Sequence, residues 1–146
     1  MIRLSVSLAA LALVLSAPLP ASAQKVDPAG VWMNQDGSTR VRVAKCGAGL
    51  CGSVAWLREP NDRAGQPKVD KENPDASKRS RRLIGVPVLL NMKPSGEGKW
   101  SGRIYNADDG NTYVSNIEMA SANAMKVQGC VLGGLICKNM NWTRSN

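Results

Sequence analysis

The chain contains no histidine and no phenylalanine, and its aromatic residues are four tryptophans and two tyrosines. Without histidine it lacks the commonest general base at neutral pH and the commonest metal ligand. Acidic residues are scarce, eleven against nineteen Lys and Arg, which leaves a net charge of +8. Beyond residue 15 no apolar run approaches the ~20 residues that a membrane-spanning helix requires. Nor does any stretch keep a long 3.6-residue apolar period, so little helix is expected.

The first residues have the form of an export signal. Arg3 precedes an apolar run from Leu4 to Leu15, and Ala21-Ser22-Ala23 has the small-x-small pattern of a signal-peptidase site. Cleavage after Ala23 would leave residues 24–146 as one domain of 123 residues and charge +7, periplasmic or secreted. That compartment excludes nucleic acid as a partner and favours the anionic molecules of a cell envelope. It is also oxidising, so Cys46, Cys51, Cys130 and Cys137 are expected to form disulfides. Of the three connectivities, Cys46 with Cys51 and Cys130 with Cys137 is favoured, because each pair closes a glycine-containing turn, CGAGLC or CVLGGLIC. Loops this short contribute about 2 to 2.5 kcal/mol each on the chain-entropy account. The cysteine spacings do not suit a zinc site, and DKENPD at Asp70–Asp75 lacks the glycine and regular oxygen offsets of a calcium loop. With every thiol bridged and no histidine, the residues point to neither a metal nor a cofactor, and the one enzymatic reading left open is hydrolysis by a carboxylate pair, Asp70 or Asp75 with Asp108 or Asp109.

The clearest local signal is a β-hairpin over residues 98–119, where two runs rich in Trp, Ile, Tyr and Val flank Asp109-Gly110. Strands are also read over 29–34, over 38–45, where Val41 and Val43 alternate with Arg40 and Arg42, and over 52–58, with Val54 and Trp56 on one face. Leu83–Met92 reads as a buried strand with 93–97 as its turn, and 124–130 and 136–143 form a last hairpin. Between them, residues 59–82 hold three prolines and many charges, a long surface loop with at most one helical turn. Eight strands joined mostly by short connections predict an all-β, up-and-down antiparallel β-barrel, which removes its edges by closing.

The order of motifs resembles the exported bacterial family catalogued as domain of unknown function 2147. The matching residues are Gly30-Val31-Trp32, Cys46, Leu50-Cys51-Gly52, Trp56-Leu57, Asp70, Asn73-Pro74-Asp75, Leu83-Ile84-Gly85, Trp100-Ser101-Gly102, Ile104-Tyr105-Asn106, Asp109-Gly110, Tyr113, Gly129-Cys130, Cys137 and Trp142-Thr143-Arg144. That resemblance implies an exported protein of Gram-negative type and brings no activity with it. In addition, Gly30-x-Trp32 on the first strand and Arg144 beyond the last look like the lipocalin signature, in which a basic side chain covers a tryptophan at one end of the barrel. Such a cation-π contact is worth about 0.5 to 2 kcal/mol.

The lipocalin-like reading suggests a small amphipathic or anionic ligand at a mouth framed by the 59–82 loop. Trp56, Asp70, Asn73, Arg82 and Tyr113 are its candidate contacts, since aromatic faces and an Arg fork are what such a ligand would use. Trp32 and Arg144 are expected to be structural. The alternative is an envelope interaction module in which the basic run Lys78, Arg79, Arg81 and Arg82 docks on a protein or an anionic surface, with no small ligand.

Overall fold

A computed structural model describes residues 26–146; the export signal expected over 1–23 lies outside the described residues. Eight antiparallel strands follow one another around a closed barrel. They are β1 Gly30–Met33, β2 Thr39–Cys46, β3 Gly49–Leu57, β4 Pro87–Gly96, β5 Lys99–Asn106, β6 Asn111–Ser121, β7 Ala124–Val131 and β8 Ile136–Ser145. Each pairs with its neighbour in sequence, and β1 closes the ring on β8, with Trp32 opposite Arg144. The predicted β-barrel is therefore the fold, and its hairpin turns on Asp109-Gly110.

Strand direction sorts the connections onto two ends. The base carries the start of β1, the end of β8 and the turns after β2, β4 and β6. The opposite rim carries the turns after β1, β5 and β7 and the long connection from Arg58 to Val86. Alternation then fills the interior from every wall. Trp32, Val41, Val43, Leu50, Leu89, Met92, Ile117, Met125, Val127 and Trp142 are all buried there in one cluster. These ten side chains pack the middle of the barrel, so a small barrel of this kind has room for a ligand only at its ends.

Two sequence readings are corrected. The fourth strand starts at Pro87 rather than Leu83 and runs through 93–96, because Leu83–Val86 turns, with Val86 N–H donating to the Leu83 carbonyl at 3.0 Å. Trp56 does not share a face with Val54: the register shifts between Arg40 and Val41, so Val54 pairs with Val41 and Trp56 with Arg40. That bulge puts one extra residue in β3 and flips the tryptophan to the outer wall. Outside the strands, single 3-10 turns occupy Ala76–Lys78, within the long loop, and Leu132–Gly134. No helix among the described residues is long and apolar enough to cross a membrane.

Both disulfides follow the favoured pairing, Cys46–Cys51 beside the β2–β3 turn and Cys130–Cys137 across the β7–β8 hairpin. At the base, the Arg144 guanidinium lies 4.3 Å from the centre of the Trp32 ring. Its N–H groups also donate to the Asp27, Ala29 and Ala122 carbonyls at 2.7, 2.8 and 2.8 Å. Gly30 has φ 139, and a Cβ there would run into that guanidinium, so the first residue of the Gly-x-Trp motif has to be glycine.

Candidate functional site

The two ends of the barrel offer different chemistry. At the rim, the long loop doubles back over the outer wall. Ile104 faces inward, where it meets Gly129, so its neighbour Tyr105 faces out, and the loop covers it. The phenol donates to Asp70 Oδ1 at 2.6 Å, and Asp70 Oδ2 accepts from Asn73 Nδ2 at 2.8 Å and from Arg81 Nε at 2.9 Å. Arg81 Nη2 adds a second contact to the same oxygen at 2.8 Å, which makes the pair a fork on one carboxylate. Arg79 Nε holds the Asn73 carbonyl at 2.7 Å, and Asp75 caps the 3-10 turn by accepting from the Ser77 N–H. Gly110, at φ 72, lets the β5–β6 turn press against the Glu72 carbonyl, where any Cβ would collide.

Asp70 is fully buried. Burial pushes its carboxyl pKa up, but the hydrogen bonds from Tyr105, Asn73 and Arg81 outweigh that and hold it below the usual range. Burial first, and then the charged Asp70, push the Tyr105 phenol up to about 12. Asp70 is thus shut off from solvent and held by donors from Tyr105, Asn73 and Arg81: it latches the loop.

This latch has a measurable pH signature. Because the folded Tyr105 pKa is raised, its contribution is complete below the unfolded value near 10 and fades as pH rises toward about 12. The lowered Asp70 works in the opposite sense, complete above pH ~4 and lost as pH falls through its folded pKa. Tyr105→Phe should therefore flatten the stability profile between pH 10 and 12, where the wild type gives up on the order of 2 kcal/mol. Urea midpoints at those pH values check this, and parallel profiles for the two proteins would refute it.

The other candidate residues do not converge on a mouth. Among Trp56, Asp70, Asn73, Arg82 and Tyr113, only Asp70 and Asn73 are hydrogen-bonded to one another. Trp56 lies on the outer wall with the Arg40 guanidinium 4.7 Å from its ring centre. Arg82 is exposed on the short bridge that pairs it with Val69. Tyr113 is half-buried at the rim and donates to Asp109 Oδ2 at 2.6 Å.

At the base, a cup of about 930 Å³ opens between the β2–β3 turn, the β4–β5 turn and the chain entering β1. Leu50, Trp100 and Met119 form its apolar floor, with Pro28 and Pro94 at its side. Lys45 stands opposite Leu50 in the ladder, two residues beyond the inward Val43, and so reaches into the cup. Asp27 and Glu97 complete a border of mixed charge. Deeper in the barrel, Ser115 Oγ and Trp142 Nε1 are buried without any hydrogen-bond partner in the protein. Each such orphan costs about 1–3 kcal/mol unless water or a ligand pairs with it.

The base was hard to foresee. Lys45 and Trp100 enter it because register points them inward, and only the alternation of Val41 and Val43 hinted at that for Lys45. Tyr105 meets Asp70 across 35 residues, which leave no local pattern, whereas Arg81 lies eleven residues away in the same loop, where pairing of Asp70 with a nearby arginine is the simple expectation. Among the described residues, no three His, Cys, Asp or Glu side chains gather as a metal site.

Comparison with known proteins agrees with the barrel. Residues 30–144 match the family described as "Uncharacterized protein conserved in bacteria", DUF2147. A solved structure, HP1028 from the human pathogen Helicobacter pylori, described as belonging to the lipocalin family, is similar in fold. Its TM-score is 0.70 at 23% identity, over 83% of this chain and 84% of that one. A search of curated proteins finds no match.

Proposed function

The chain belongs to the bacterial family DUF2147, and from that premise and the shape of its barrel we propose that it is an exported binding protein for a small amphipathic molecule. The observation that carries this is the cup at the base, whose apolar floor of Leu50, Trp100 and Met119 sits under a border that holds Lys45, Asp27 and Glu97. A hydrophobic body would cover the floor while a polar head met the border, the usual division of labour in a binding pocket. With one cation and two carboxylates around it, the border suits an amphiphile better than a simple anion. The signal-like first 23 residues and the two disulfides support a periplasmic or secreted location.

The competing mouth is the rim, with Arg82 and Tyr113. Decanoate, decyltrimethylammonium and a decyl sugar, each below micelle formation, separate the two when titrated against thermal stability. A ligand at a hundredfold its dissociation constant adds about 2.7 kcal/mol. At least one amphiphile should give such a shift, Met119→Arg should abolish it, and the pair Arg82→Ala with Tyr113→Phe should leave it intact. A shift lost only in the rim variants would move the site to the rim; no shift with any amphiphile would overturn the binding reading.

A further inference from the structure

The tip of the β7–β8 hairpin is apolar and bare. Between Cys130 and Cys137 the chain reads VLGGLI, and Val131, Leu132, Leu135 and Ile136 are 42, 68, 85 and 58% exposed. No charged or hydrogen-bonding side chain interrupts these six residues. Val114 on β6, 46% exposed and paired with Cys130, lies on the outer wall just below the tip. Leu132 holds φ 52, a left-handed conformation that glycine adopts freely and a leucine adopts at a cost. The fold therefore spends backbone strain on an isobutyl group that stays 68% exposed. The Cys130–Cys137 bridge ties the two strands together immediately below the tip, so the loop is held out on the rim.

We infer that this tip is a wedge that seats the protein on a lipid bilayer by inserting its aliphatic side chains at the interface. Three observations favour lipid over protein as the occupant. A stable dimer or complex engages some 20–30 residues a side, far more than this tip offers. Protein-binding hot spots are rich in Trp, Tyr and Arg and poor in Leu and Val, whereas this tip is wholly aliphatic. A hydrocarbon interface demands neither shape nor polar complementarity, only apolar surface on a convex, well-braced support. The tip lies at the rim and the cup at the base, so this inference stands or falls separately from the amphiphile site.

The experiment is flotation of the disulfide-bonded protein with vesicles of phosphatidylcholine alone and of phosphatidylethanolamine with phosphatidylglycerol, each at 0.1 and 0.5 M salt. Binding should persist at high salt and on the uncharged vesicles, because apolar insertion is not screened. The double variant L132E/L135E should weaken it at least tenfold while keeping the melting temperature, both side chains being exposed. Leu135→Trp should show blue-shifted emission on vesicles and quenching by brominated acyl chains, which reads insertion directly. Absence of vesicle binding, retention in L132E/L135E, or loss at high salt in step with replacement of Lys78, Arg79 and Arg82 would overturn the wedge. So would a concentration-dependent dimer, seen by analytical ultracentrifugation, that L132E/L135E abolishes.

Discussion

Asp70→Ala is expected to destabilise the protein by about 3 kcal/mol, near the low end for breaking a buried ion pair. The substitution leaves the Tyr105 phenol, the Asn73 amide and the Arg81 guanidinium without their common acceptor. Arg81 keeps some access to water, since its side chain is 35% exposed, and this limits the loss. A drop of roughly 10 °C in melting temperature follows for a domain of this size. Asp70→Asn, which keeps the shape and one acceptor oxygen, should lose about half as much. Trypsin adds a second readout, because release of the latch should loosen the backbone around the exposed Lys71, Lys78 and Arg79 and speed cleavage of the loop well before the barrel melts. A melting temperature within 2 °C of wild type for Asp70→Ala, with unchanged proteolysis, would show that the loop is held by something else.

Trp32→Ala should be the most damaging single change in the barrel, about 3–5 kcal/mol. Trp32 is fully buried, its indole N–H donates to the Pro28 carbonyl at 2.9 Å, and its face carries the Arg144 guanidinium. Truncation opens a void where β1 and β8 meet and strands that cation. Arg144→Lys tests the other half of the pair. A lysine supplies the charge, but its three N–H donors sit on one nitrogen and cannot span the Asp27, Ala29 and Ala122 carbonyls that Nε, Nη1 and Nη2 reach, so it should still lose about 1–2 kcal/mol. Equal stability of Arg144→Lys and wild type, measured by urea unfolding, would mean that charge alone seals the base.

Much of the barrel was readable in advance because its rules are local. The Asp109-Gly110 turn, the alternation of Val41 and Val43 and the short-loop cysteine pairs each concern residues within a few positions of one another, and all appear in the structure. Where a bulge intervened, local rules failed: one extra residue near Ala55 sent Trp56 to the outside. The contacts around Asp70 were hard to read for a different reason. Asp70 is 35 residues from Tyr105, and nothing near either residue announces the other. Likewise the cup is assembled from two turns and the entering chain, and nothing local shows that they face one space.

The seam between β1 and β8 bears on how the barrel comes to exist. Every other ladder joins strands that are neighbours in the chain, but Val31 must find Ser145, more than a hundred residues away. The entropy of closing so long a chain is about 4 kcal/mol before its fixed part is added, against little for a tight hairpin. Hairpins can therefore condense one after another, while the ring waits for its last strand. Until β8 is in place, the first strand keeps an open edge. Gly30, Trp32 and Arg144 thus join the first strand to the last.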